Sequence, residues 1–163
     1  MRNVIAVYVE NKYGVLARVA GLFMRRGFNI DSLTVGETDD PKFSRITITL
    51  DGDENDREQV VNQLKKLHNV KQVKVLDDGG SVERELLLLK VRNSSENRSE
   101  IMAATEIYRA KVVDYTTDSI CVEVTGEPSK IRAFIEVMKP LGIVEMCRTG
   151  VVALQRGGDI LEK

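Results

Sequence analysis

Residues 4–31 read VIAVYVENKYGVLARVAGLFMRRGFNID, and this stretch decides how the rest of the chain is organised. The residues before Asn11 are mostly short and β-branched, which is typical of a β-strand. After Gly14 the apolar residues recur at three- and four-residue spacing, which predicts an amphipathic helix. Gly27 follows this helix, where a glycine commonly ends one, and a second strand begins at Phe28.

The turn between the first strand and the helix is the first candidate functional site. A helix start presents unpaired backbone N–H groups and the positive end of the helix dipole, and together these bind small anions such as a carboxylate. The candidate donors are the N–H groups of Gly14, Val15 and Leu16. A structural interpretation stays open at this point, in which Gly14 is a turn glycine and Asn11 bonds a neighbouring backbone group.

Composition excludes several classes of protein. The 163 residues are 42% hydrophobic and carry 24 Lys+Arg against 25 Asp+Glu, a net charge of -1, which argues against a nucleic-acid-binding protein. Aromatic residues make up 5% and there is no Trp, so base-stacking surfaces are not expected. No apolar run approaches the roughly 18–20 residues of a membrane span, and no signal peptide precedes the first strand, so we expect a cytoplasmic protein.

Metal and redox chemistry find little support in the sequence. Cys121 and Cys147 are too few for a disulfide framework, and strand patterns around them predict free, partly buried thiols. The acidic stretch 51–56 lacks the pattern of a calcium loop and instead favours the start of a helix over about 57–67. His68, the only histidine, follows that helix and has no partner nearby in the sequence.

The order β-α-β-β-α-β occurs twice, which predicts an α+β protein of two tandem ferredoxin-like domains. We expect residues 1–78 to form the first domain, 79–82 a linker and 83–163 the second domain. Each domain should have a four-stranded antiparallel sheet in the order 4-1-3-2, with two helices on one face. In the third strand, alternation predicts that Ile46, Ile48 and Leu50 face the core while Arg45, Thr47 and Thr49 face away.

The two halves differ at the turn that follows their first strand. The equivalent turn in the second half, residues 93–99, contains no glycine leading into the helix. This difference suggests that the first copy senses a ligand and the second transmits the signal. No set of residues is arranged for catalysis, so exclusion favours a binding or regulatory protein, with no metal and no nucleic acid or membrane partner.

Several segments together resemble one family closely. They lie along the whole chain, at residues 11–16, 25–35, 38–41, 44–45, 82–86, 105–109 and 148–152. They resemble the amino-acid-sensing ACT domain and, more narrowly, the small regulatory subunit of acetolactate synthase (acetohydroxyacid synthase).

The resemblance implies a non-catalytic subunit that activates a catalytic large subunit and confers feedback inhibition by valine or another branched-chain amino acid. The family's large subunit carries thiamine diphosphate, FAD and Mg²⁺ and joins two pyruvates, or pyruvate with 2-oxobutyrate. No cofactor is therefore expected in this chain. The effector of the family binds between the ACT domains of a homodimer, which places the turn of one protomer against the second strand of its partner. The implied effector-binding residues are Asn11, Gly14, Val15, Leu16, Asn29 and Ile30.

Elementary chemistry agrees with that placement. Backbone N–H groups at the turn would bind the carboxylate of an amino acid, and the side-chain oxygens of Asn11 and Asn29 would accept from its ammonium group. Apolar residues near Val15 and Ile30 would hold its branched side chain. One methylene is worth only about 0.8 kcal/mol, so the sequence does not separate valine from leucine or isoleucine.

Two other functions stay open at this stage. The first is a free-standing amino-acid sensor that acts on a different client protein. The second is a small enzyme that depends on His68.

Overall fold

The structure is a computed structural model, and it describes residues 1–161. The N-terminal half folds in the predicted order, and its sheet has the strand order β2-β3-β1-β4, which confirms the predicted 4-1-3-2 arrangement. All neighbouring strands are antiparallel. The elements are β1 (Arg2–Glu10), α1 (Val15–Arg26), β2 (Ile30–Glu37), β3 (Phe43–Asp51), α2 (Glu54–Lys65) and β4 (Val70–Leu76).

The helices pack on one face of this sheet because alternate residues along each strand are apolar and point toward them. Ile5 and Val7 of β1 and Ile46 and Ile48 of β3 are at most 1% exposed and contact the buried face of the helices. Phe23 of α1 fills the layer between. The β1 residues between these core positions point to the opposite face of the sheet.

The second half repeats the fold. Its sheet has the order β6-β7-β5-β8, which again confirms the prediction, and β9 additionally pairs with β5. Its own core lies between the sheet and two helices, around Phe134 and Ile101. The elements are β5 (Ser81–Arg92), α3 (Arg98–Ile107), β6 (Lys111–Tyr115), β7 (Ser119–Gly126), α4 (Pro128–Met138), a 3₁₀ turn (Lys139–Leu141), β8 (Ile143–Arg148) and β9 (Val152–Gln155).

A bidentate ion pair lies within the second half. The Arg148 guanidinium donates from Nε and Nη2 to the two carboxylate oxygens of Glu85, at 2.6 and 2.9 Å. Glu85 is 4% exposed, and the pair raises the pKa of Arg148 because the carboxylate favours the charged guanidinium.

The end of the chain returns to the first sheet and covers its second face. Val151, Ala153 and Leu161 are buried against Val4 and Ala6 of β1, together with Leu76. The chain accordingly divides into one compact unit of residues 1–82 plus the segment from Val151 onward, and a second unit of residues 83–150. The sequence predicted a single domain over residues 83–163, whereas this division assigns the segment from Val151 onward to the first unit.

This return also determines the environment of the side chains on the second face of β3. Thr47 and Thr49 point away from the helices as predicted, but they are only 3% and 2% exposed. They are buried because residues 151–153 lie over that face of the sheet, a covering that the alternation of the sequence does not show.

The acidic stretch 51–56 starts a helix, as predicted, although α2 begins three residues earlier than expected, at Glu54. Asp53 is the N-cap: its Oδ1 accepts from the Asp56 N–H at 2.9 Å, while the Asp56 carboxylate accepts from the Asp53 N–H at 3.1 Å. This reciprocal capping box satisfies two N–H groups that a helix start otherwise leaves unpaired. It explains both the acidic composition and the early start.

Several smaller expectations have outcomes within residues 1–161. Cys121 is half-buried as predicted, whereas Cys147 is exposed because it lies on β8 at the edge of the sheet, paired with the exposed Leu88. Both thiols are free. Among the described helices, none has the length and apolarity needed to cross a bilayer.

Replacing the N-cap, Asp53→Ala, should lower the free energy of unfolding by about 1 kcal/mol, because the Asp56 N–H loses its acceptor. Urea denaturation followed by circular dichroism measures this change. Glu58→Ala, at an exposed position of the same helix, is the control and should change stability much less. Equal effects of the two substitutions would contradict the capping role.

Candidate functional site

The turn after β1 is shaped by the backbone conformation of Gly14. Gly14 is the N-cap of α1 with φ +83° and ψ −6°, in the left-handed region that side chains disfavour. A Cβ built at Gly14 would meet no described atom within 4 Å, so the glycine is required by its φ and not by crowding. The first helical turn contains no acidic side chain. The positive end of the helix is therefore not neutralised by its own sequence.

The hydrogen bonds of Asn11 tie this turn to the β2–β3 hairpin. Its N–H donates to the carbonyl of Lys42 at 2.7 Å, and its Nδ2 donates to Glu37 Oε1 at 3.1 Å and to the carbonyl of Pro41 at 3.0 Å. Because both partners of Nδ2 are acceptors, the orientation of the amide is determined. Asn11 thus has a structural role, but its side-chain partners lie on the β2–β3 hairpin and not in its own turn, as the structural interpretation expected. Neither of these bonds uses its Oδ1.

A charged network that the sequence did not reveal supports the other side of the turn. The Glu10 carboxylate accepts from Lys12 at 2.8 Å, from Lys71 at 2.6 Å and from Asn69 Nδ2 at 3.1 Å. Asn69 Oδ1 in turn accepts from Arg18 Nη1 at 2.7 Å, which connects the network to α1. The hydrogen bonds from Lys12, then Lys71 and Asn69, lower the pKa of Glu10 to about 2 from its usual 4.5.

The lowered pKa of Glu10 predicts a loss of stability in acid. A carboxyl whose folded pKa is below its unfolded value stabilises the fold fully above the unfolded value, and this contribution disappears as pH falls from about 4.5 to about 2. Glu10→Gln should therefore be less stable than the wild type at pH 7, and the difference should shrink at pH 3. Thermal melts at both pH values measure it, with the exposed Glu96→Gln as control. A gap in melting temperature that stays constant with pH would contradict this assignment.

The structure separates the six predicted site residues into two groups at opposite ends of α1. Asn11 and residues 14–16 lie at its start, while Asn29 and Ile30 lie after its end, where β2 begins. The helix has 12 residues and hence a length of about 18 Å, so one chain does not bring the two groups together. Asn29 is exposed and Ile30 half-buried, and β2 is an edge strand of the sheet.

One predicted role changes with the structure. The Val15 side chain is 4% exposed and belongs to the core beneath α1, so it is not available to a ligand. Leu16, at 44% exposed, is an apolar side chain that the turn presents, beside the fully exposed Tyr13. Val15 contributes only its backbone; its N–H already donates to the Lys12 carbonyl, with a long distance of 3.3 Å.

The corresponding turn of the second unit is built differently. Asn93 Nδ2 donates to the carbonyl of Thr116 at 2.6 Å, and Asn97 Nδ2 donates to that of Leu141 at 3.0 Å. Arg98 Nε donates to Asn93 Oδ1 at 2.9 Å, which adds a guanidinium at the start of α3. Side chains therefore fill this turn where the first unit has an open glycine turn, in line with the difference between the sequences.

A cavity of about 620 Å³ lies elsewhere in the first unit, and it is lined by none of the six predicted site residues. It lies beside the returning C-terminal segment and includes Tyr8, Arg45, Lys74 and Gln155 in its wall. Within residues 1–161, no group of three or more His, Cys, Asp or Glu residues is suited to hold a metal ion.

Two βαββαβ units with an open, glycine-led turn in the first are the architecture of the ACT class of regulatory proteins. A family model described as the AHAS small subunit-like ACT domain matches residues 5–72. A second model, described as the small subunit of acetolactate synthase, matches residues 84–157.

Similar proteins extend over the full length of the chain. A probable acetolactate synthase small subunit from Archaeoglobus fulgidus is 53% identical to this chain, and the alignment covers 96% of this chain and 98% of that protein. The acetolactate synthase isozyme 3 small subunit of Escherichia coli is 44% identical over 99% of both. The crystal structure of an acetolactate synthase small subunit from Thermotoga maritima superposes with a TM-score of 0.90, at 40% identity, covering 98% of this chain and 99% of that one.

The chain belongs to the family of acetolactate synthase small subunits. It is a regulatory protein of branched-chain amino acid biosynthesis whose partner, the large subunit, is the catalytic one.

Proposed function

We propose that this chain binds a branched-chain amino acid, with valine as the first candidate, and thereby inhibits an acetolactate synthase that it otherwise activates. The single observation that carries the site is the open helix start at Gly14, which has no acidic residue in its first turn. Such a helix end binds a carboxylate through backbone N–H groups and the helix dipole. Oδ1 of Asn11 is positioned by its two Nδ2 bonds and supplies an acceptor for an ammonium group.

The site is proposed to lie across a homodimer formed through the ACT domain. Within one chain, about 18 Å of helix separates the turn from Asn29 and Ile30. A second copy packed along the exposed edge strand β2 would bring Asn29 and Ile30 of one protomer to the turn of the other. Leu16 and Ile30 would then enclose the branched side chain of the effector, while the Asn29 amide would add polar contacts.

The regulated partner is proposed to be the catalytic large subunit, which would carry thiamine diphosphate, FAD and Mg²⁺. The effector changes activity only through different affinities for two states of the assembly, so bound valine must favour a state in which the small subunit activates less. The expected cytoplasmic location stays a prediction.

Substitutions in the turn should abolish feedback without dissociating the subunits. Gly14→Asp places a carboxylate where the effector carboxylate would bind, and Asn29→Ala removes a polar contact from the other side. We expect each to raise the valine concentration for half-inhibition at least tenfold in acetolactate formation by a cognate large subunit. Stimulation without valine should stay close to that of the wild type.

Matched control variants distinguish a loss of effector binding from the general effects of backbone strain and added charge. Gly79 has a similar φ of +77° and, like Gly14, no described atom near a built Cβ, so Gly79→Asp reproduces the strain and the charge outside the site. Asn62→Ala is the control for Asn29, since Asn62 is exposed on α2. Normal inhibition of both site variants would overturn the site, whereas an absence of stimulation by the wild-type chain would favour a sensor acting on another client.

A further inference from the structure

The segment of residues 151–161, termed the C-terminal strap, makes directional polar contacts with the first sheet in addition to its apolar ones. The Val151 N–H donates to Ser32 Oγ at 3.3 Å, and Ser32 Oγ lies 2.6 Å from Thr49 Oγ1. Arg45 Nη2 donates to the carbonyl of Ala153 at 2.8 Å. These bonds fix the strap to β2 and β3 at two points, two residues apart along the strap.

The first of these points is adjacent to the proposed effector site. Ser32 follows Ile30 by two residues on β2, and the β2–β3 pairing shifts register between them. Such a bulge interrupts the ladder, so fewer backbone hydrogen bonds hold the start of β2 to β3. At 3.3 Å the Val151–Ser32 bond is at the long limit of hydrogen-bond geometry, so displacements of a few tenths of an ångström would strengthen or break it.

The second point is linked to the other half of the site. Arg45 pairs with Gly36 across the β2–β3 hairpin, and the side chain of Asn11 bonds this hairpin at Glu37 and Pro41. A ligand that shifts the Asn11 amide therefore pulls on the same hairpin that positions the Arg45 guanidinium under the strap.

The chain itself gives the strap a route to the second unit. Gly150, with φ +80°, directly precedes the strap and follows β8 after one residue, Thr149. A shift of Val151 is therefore applied to the end of β8 through only two intervening residues, Thr149 and Gly150.

We infer that Ser32 and Arg45 are positioning residues that relay effector occupancy from the turn and β2 to the C-terminal strap. This inference rests on the proposed function, because it assigns a route for the regulation proposed there. Neither side chain is a proposed effector contact. Their removal should uncouple binding from inhibition and leave the effector bound.

The test compares Ser32→Ala and Arg45→Met with the wild type in the holoenzyme reconstituted with a cognate large subunit. Valine binding to the isolated small subunit, measured by calorimetry, should stay within threefold of the wild type. Inhibition of acetolactate formation at saturating valine should fall to half its wild-type extent or less. Ser32→Thr keeps the hydroxyl and should restore inhibition. The exposed Ser99→Ala and Arg132→Met are the matched controls and should behave like the wild type.

Amide hydrogen exchange supplies a readout that a merely structural role would not move. In the wild type, saturating valine should change the exchange rate of the Val151 N–H at least threefold, and in Ser32→Ala this response should be absent. Thermal melts verify that both variants fold. If Ser32→Ala does not fold, Arg45→Met still tests the inference through the second contact.

The inference is overturned if both folded variants are inhibited like the wild type, because the two residues would then relay nothing. It is also overturned if both variants lose valine binding, because the residues would then act at the site itself. A wild-type holoenzyme that is not inhibited by valine, leucine or isoleucine overturns the proposed function, and this inference with it. These outcomes differ in the wild-type measurement and are therefore distinguishable.

Discussion

The burial of both faces of the first sheet is the constraint on which the rest of this molecule depends. A βαββαβ unit covers one sheet face with its two helices and leaves the other in water unless something else packs there. Here Val4 and Ala6 on that second face are at most 4% exposed because the C-terminal strap lies over them. The first unit is therefore completed by residues that follow the second unit in the sequence. This arrangement makes the first sheet and the C-terminal strap a single packed structure.

The helix start at Gly14 is left uncovered, in contrast to the second face of the first sheet, which the strap buries. At Gly14 the backbone is left accessible, with a left-handed φ and no acidic residue in the first turn of α1. Around it, stability comes from the neighbours: Glu10 is held by two lysines, and Asn11 is bonded to the β2–β3 hairpin. These supports lie beside the turn, so they can hold it rigid without covering Gly14.

Periodicity predicted most of the fold, since each strand and helix shows its buried face in the local sequence. The four strands and two helices of each half follow from that pattern and from the internal repeat, and both strand orders follow from the ferredoxin-like arrangement that the element order implies. The strap escaped prediction because Val151 and Ala153 form only a short alternation, and nothing local shows which surface it covers. The direction of Thr47 and Thr49, away from the helices, was predicted correctly, but their burial was not, because the segment that packs on them is distant in the sequence.

The candidate site was predictable to a similar extent. Gly14 and Asn11 carry a local signal, because a glycine between a strand and a helix marks a turn with accessible N–H groups. The supports of the turn carry none, since Glu10 and Asn69 are 59 positions apart and Arg18 reaches Asn69 across 51. Val15 lies at the start of α1, next to the turn, but its side chain points into the core because it lies on the buried face of the helix.

The division of the chain also has a consequence for biosynthesis. Because the first unit includes residues from both sides of the second, the second unit is topologically an insertion within the first. During translation, β4 is completed about 75 residues before synthesis of the strap begins. The nascent sheet therefore exposes the apolar face around Ala6 while the inserted unit, whose segments are contiguous, is being synthesised. The second face of the first sheet is therefore covered only after synthesis has passed through the inserted unit and the strap.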